Sequence, residues 1–337
     1  MDYTKLDSEQ IKTLANAIQI YEAFHAERQQ ASSHQGSMHW KNIKGKDYLY
    51  KGFTGGRNQS LGVRSDDTEQ IKQNFEHASA AHKTRLEKLS EQVKRHSGFI
   101  KAVRLNRFPT VGARVIRALE QQGIPHRIIG TNALYAYEIS AGIQFMPEYI
   151  ATEDIDVIFD ARQSLQIATK LKTSQLMTLL QKADQSFQKV STARFTFTAA
   201  NNAGYRVDFI TQGNLDPLKP DAFEQLLDED DIKPVTINSL KWHVASPRFR
   251  EIVFDQQGFP LTLETVDPRA FILHKWYVSQ QDDRRPYKAQ RDAAQAKIMA
   301  TVLAKELTHL PPAPAIQKLF PNAVIDNTTS ALDDFSF

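Results

Sequence analysis

At 337 residues, 41% hydrophobic and 24% charged, the chain has room for two or three domains and enough apolar residues to bury a core. No apolar run approaches the ~20 residues of a membrane span, and the opening MDYTKLDSEQ lacks the basic-then-apolar layout of a signal peptide. The absence of cysteine excludes disulfides, thiolate nucleophiles and cysteine-based zinc sites, a formal charge of +3 does not demand nucleic acid as a partner, and the simplest reading is a cytoplasmic protein.

The first 98 residues read as a helical region interrupted by a β-hairpin. Asp7 and Gln10 have the spacing of a capping box, and Ile11, Leu14, Ala15 and Ile18 follow at helical spacing. Residues 38–62 mix aromatics with Gly-Gly and Asn, which suits a short hairpin. A long helix is expected from about Asp66 to His96, with Ile71, Phe75, Ala78, His82, Leu89 and Val93 near a heptad seam and Gly98 as its stop. Between Lys83 and Arg107 stand eight Lys or Arg against two Glu, a basic stretch able to hold a polynucleotide backbone. No aromatic ladder is interleaved with it; the plain alternative is a solvated helix face.

Residues 99–215 change texture. Pro109 to Gln122 is an amphipathic helix ended by Gly123 and Pro125, HRIIG is a strand, and TNALYAYEI is a helix starting directly after Gly130. EDIDVIFDA is a strand, SQLMTLLQKAD a helix, and ARFTFTAA and YRVDFIT are strands joined at NNAG. This order predicts an α/β (α+β) core with a small mixed sheet rather than a long βαβ array. Residues 216–322 read as a hairpin, EIVFDQQGFPLTLETV, followed by a helix capped by Asp267 and a second one from about Pro286; residues 323–337 have the polarity of a loose tail.

Three features carry chemistry. A strand that runs through Gly130 and Thr131 into a helix start offers bare backbone amides and a hydroxyl to a phosphate; its plain alternative is a structural turn. Asp154 and Asp156 lie two apart in a strand, hence on one face, while Ile155, Val157 and Phe159 occupy the other. Paired carboxylates beside a buried strand are costly unless a cation neutralises them, and as hard oxygen ligands they suit Mg²⁺ or Mn²⁺. Asp208 stands likewise between Val207 and Phe209; its plain alternative is a salt bridge to Arg206 or Arg194. Three such acids can hold two metal ions for an in-line phosphoryl displacement. His126, His243 and His274 have no partners at metal-ligand spacing and read as structural.

The order of Gly-Thr at a helix start, an alternating apolar–Asp strand and a lone Asp on a later strand resembles the DNA polymerase β-like minimal nucleotidyltransferase superfamily. More closely, residues 105–300 resemble the bacterial nucleotidyltransferase-like proteins related to the AbiEii toxins. The resemblance implies a Mg²⁺- or Mn²⁺-dependent enzyme that moves an NMP from an NTP to the hydroxyl of tRNA or other RNA, a protein or a small molecule. An antitoxin or other regulatory partner, and no membrane, go with it. By the same resemblance Asp154, Asp156 and Asp208 are the catalytic and metal-binding acids, and Gly130 and Thr131 cradle phosphate. Lys275 and Asp292, which follows Arg291, complete the nucleotide site, with Gln295 where a second acid is expected. For Lys275 the plain alternative is a snorkelling stem with a solvated head. The other function classes are a nucleotide- or partner-binding module without turnover, and an RNA-binding protein that uses the basic stretch alone.

Overall fold

A computed structural model describes residues 2–53, 56–190, 198–212, 222–227, 231–311 and 313–335. The chain forms two compact units. One comprises Met1–Ile11, Asn106–Gln257 and Leu261–Phe337, the other Lys12–Leu105 and Gly258–Pro260.

The second unit is built on two helices, Ser8–Ser32, most of which belongs to it, and Asp66–Ala102. The expected box at the first helix forms, with the Gln10 amide donating to Asp7 Oδ1 at 2.8 Å and the Asp7 amide to Gln10 Oε1 at 3.0 Å. The second helix is opened by a reciprocal box between Ser65 and Thr68 and runs through Gly98, so this glycine is not its stop. A glycine inside a helix costs about 1 kcal/mol, which the surrounding turns outweigh. Phe75 is buried as expected, whereas Ile71 is 44% exposed. Glu27 is buried, with His82 Nδ1 at 2.6 Å and Arg85 Nε at 3.0 Å. Where a hairpin was expected, a three-stranded antiparallel sheet forms from Ser37–Ile43, Lys46–Gly52 and Asn58–Val63. The third strand was hidden by its polar Asn58-Gln59-Ser60 start.

The first unit centres on a six-stranded mixed sheet. Its path runs Arg127–Ile129, Asp154–Phe159, Arg206–Thr211, Thr198–Ala200, Gln188–Lys189, and Val235–Thr236 pairs parallel with Arg206–Thr211. The two acid-bearing strands are parallel neighbours, each flanked by an antiparallel strand on its other side. One sheet face is the core: Ile155, Val157, Phe159, Val207 and Phe209 are all buried, and the rings of Phe159 and Phe209 stack at 5.6 Å. Helix Thr110–Gln121 buries Gly112, Ala113, Val115, Ile116 and Leu119, the stripe its spacing predicted.

The C-terminal part follows its local signals. Arg248–Phe254 and Pro260–Val266 make the hairpin. The Asp267 carboxylate then caps the Arg269 amide at 2.9 Å, and Pro268 opens helix Pro268–Ser279. Pro286–Lys305 is the second helix. The tail is not loose: Asn322–Ala331 is helical and Thr328 is buried. Of the strand expected at ARFTFTAA, residues 193–197, Arg194 included, lie outside the described residues. No helix among the described residues is long and apolar enough to cross a membrane.

Candidate active site

Pairing of the parallel strands sets Asp208 directly opposite Asp156, and Arg206 opposite Asp154. Alternation then turns the three acids toward the sheet face away from the Ile155–Val157–Phe159 core. Asp154 Oδ1 accepts from the Thr152 hydroxyl, and Asp208 Oδ1 from the Thr198 hydroxyl at 2.5 Å. Among the described residues no ion pair reaches any of the three, so the Arg206 salt bridge that would have explained Asp208 does not form.

Asp156 is the most strained electrostatically. Burial pushes its carboxyl up to about 7, and the negative charges of Asp154 and Asp208 push the same way, while Lys275 and Lys288 oppose them. Burial also raises Asp208, against the Thr198 bond and the more distant Arg206 and Lys288.

The strand Arg127–Ile129 pairs Ile129 with Asp156, which brings the next residue, Gly130, against that carboxylate. Gly130 has φ +68°, and a Cβ there would lie 2.3 Å from Asp156 Oδ2. Only glycine therefore fits, for both conformation and space. The chain does not enter an α-helix at once, as expected, but makes a 3-10 turn over Gly130–Ala133 before helix Leu134–Ala141. Asn132 fastens this turn by donating to the Asp154 carbonyl at 2.7 Å. Gln295 Nε2 reaches Thr131 Oγ1 at 3.2 Å and the Tyr149 carbonyl at 2.6 Å.

Lys275 is buried, so it does not snorkel. Its ammonium bonds Asp292 Oδ1 at 2.7 Å, and Arg284 Nε takes Oδ2 at 2.8 Å. Burial alone would raise the Asp292 carboxyl, but Lys275 and Arg284 outweigh it and hold it below the usual range. Lys275 and Asp292 thus lock helix to helix, and Lys275 acts on Asp156 only through its field. Lys288, in the first turn of helix Pro286–Lys305, acts on both Asp156 and Asp208 in the same way. Tyr205, which sequence reasoning missed, has a buried hydroxyl that finds no hydrogen-bond partner among the described residues and feels Asp154 and Asp156. Its position three residues before Asp208 gave no signal. His243 is buried and His274 partly so, with ring centroids 4.1 Å apart, and the loss of solvent pushes His274 down to about 3.

Among the described residues no three His, Asp or Glu side chains form a ready-made metal site. The donor set nonetheless fits a hard cation: three carboxylates on one face, none ion-paired among the described residues. Two are held by single hydroxyl bonds, each worth about 1.5–3 kcal/mol and weak against a divalent ion.

The sequence profile of a protein family described as Nucleotidyltransferase matches residues 110–321, which contain all of these side chains. Among solved structures, the chain is similar to an antigenic nucleotidyltransferase-like protein from Paracoccidioides brasiliensis. The two are 17% identical, the alignment covers 65% of this chain and 97% of that one, and the TM-score is 0.30. No curated protein matches.

Proposed function

The chain belongs to the nucleotidyltransferase family, and from that membership we propose that it moves an NMP from an NTP to an acceptor hydroxyl. The observation that carries this reading is the rung Asp156–Asp208 with Gly130 packed on it. Asp154, Asp156 and Asp208 would hold Mg²⁺ or Mn²⁺, which would neutralise the acids and polarise the phosphate under attack. The Gly130–Ala133 turn and the Thr131 hydroxyl would seat phosphate oxygens, and Lys288, whose charge acts on Asp156 and Asp208, would add positive charge at the site. The acceptor oxygen bonds to the α-phosphorus as the α–β anhydride bond breaks, pyrophosphate leaves, and the hydroxyl proton passes toward Asp208.

The resemblance to AbiEii-like proteins extends the reading to a toxin-like cytoplasmic enzyme with an RNA, tRNA or protein acceptor and a regulatory partner. A second reading, nucleotide binding without turnover, is favoured by the absence of a preformed metal group among the described residues and by Gln295 in place of an acid. Incubation of the purified chain with each α-labelled NTP, Mg²⁺ or Mn²⁺, and cellular RNA or protein separates the two. Label transfer that disappears in Asp156→Asn supports the enzyme. A thermal shift with NTP but no transfer supports the binding module, and neither effect removes both.

A further inference from the structure

Positive charge is concentrated in two stretches of the chain, Lys83 to Arg107 and residues 37–64. Residues 37–64 hold six Lys or Arg against a single acid, Asp47, so this segment is +5 and the remainder of the +3 chain is −2. The segment folds as the three-stranded sheet of the second unit, and the two faces of that sheet differ. Leu49, Lys51 and Gly62 turn toward helix Asp66–Ala102: Leu49 is fully buried, Lys51 Nζ lies 5.1 Å from the Phe75 ring, and Gly62 meets Thr68.

The opposite face is open. Cross-strand pairing puts His39 beside Tyr50 and Lys41 beside Tyr48 on it. The rings of His39 and Tyr50 stack at 6.3 Å and 22°, and Lys41 Nζ lies 5.8 Å from the Tyr50 ring. On the neighbouring strand Ser60 stands beside Tyr50, Asn58 beside Gly52 and Val63 beside Tyr48. His39, Lys41, Lys46, Asn58 and Ser60 are exposed, and both tyrosines are partly so.

We propose that this face binds single-stranded RNA. Half-exposed rings flanked by cations match the alternation of base and phosphate along an unpaired strand, and stacking tolerates any base. A duplex hides the base faces that the rings would meet, and an acidic peptide has no use for them. Asn58 and Ser60 put hydrogen-bonding groups beside the stacking surface, where a ribose 2′-hydroxyl would lie. The basic stretch from Lys83 to Arg107 offers one exposed ring, Phe99, set edge-on to His96 rather than stacked, and no pair of rings flanked by cations.

Fluorescence anisotropy of a labelled oligoribonucleotide against the full chain tests this. It is read without NTP or divalent ion, so failure here leaves the proposed transfer reaction untouched. Tyr50→Ala and Tyr48→Ala should each weaken binding about tenfold, and Tyr50→Phe, which keeps the ring, should not. Lys41→Ala should lower the slope of log K against log salt by about 0.7. Single-stranded DNA and duplex RNA should bind more weakly. Circular dichroism controls for folding, and His39→Ala serves as a further ring deletion should a tyrosine variant unfold. No binding, equal affinity for duplex RNA, or equal displacement by polyglutamate would overturn the proposal. So would unchanged binding in the ring variants together with loss in Lys94→Ala/Arg95→Ala, and equal affinity for DNA would remove the assignment to RNA.

Discussion

Gly130 and Asp156 are the residues on which the candidate site turns. Gly130→Ala would hold an L-residue at φ +68° and press a methyl into the Asp156 carboxylate. We expect a stability loss of about 1–2 kcal/mol in thermal melts, and a loss of transfer of about a hundredfold because the acid is displaced. Asp156 makes a prediction in pH. Burial pushes its carboxyl up to about 7 in the fold, against 3.8 for an aspartate in the unfolded chain. Between those values the folded chain holds a proton that the unfolded chain has released. Stability without metal should therefore fall as pH rises from about 4 to 7, by an amount on the order of a few kcal/mol, and level off above. Asp156→Asn should flatten this decline and raise the melting temperature of the metal-free protein at neutral pH, while abolishing transfer. A variant that loses activity but melts with an unchanged pH profile would show that the buried charge is not costly.

At the scale of elements, what was legible in the sequence followed a local rule. Alternation assigned Asp154, Asp156 and Asp208 to one strand face and Ile155, Val157 and Phe209 to the other, and the caps at Asp7 and Asp267 formed as spaced. What was not legible depended on distant partners. Lys275 looks like any helix-surface lysine until Asp292 and Arg284, on and before another helix, enclose its ammonium. Likewise, nothing local told that Thr152 and Thr198 would take two of the carboxylates, or that Asn322–Ala331 would be helical. The Lys275–Asp292 lock has its own test. Asp292→Ala leaves a buried ammonium unpaired and should cost about 3–5 kcal/mol in denaturant unfolding, whereas Lys275→Met with Asp292→Leu should recover much of that loss. A double variant as unstable as the single one would show that the pair is not coupled.

At the scale of the molecule, an acidic face that repels itself should be stabilised by what it binds. Mg²⁺ with a non-hydrolysable NTP near a hundred times its dissociation constant should raise the melting temperature by about 5–10 °C. EDTA should remove that gain, and Asp154→Ala should prevent it; a gain that survives both would place the nucleotide elsewhere. The rung that sets Asp208 against Asp156 has one more effect. One residue inserted within either strand would swing its carboxylate into the greasy interior and push Val207 or Val157 out toward water. Chemistry and folding are thus soldered together in these two segments: the lineage can shed activity by exchanging a side chain, but hardly by lengthening or shortening the strands.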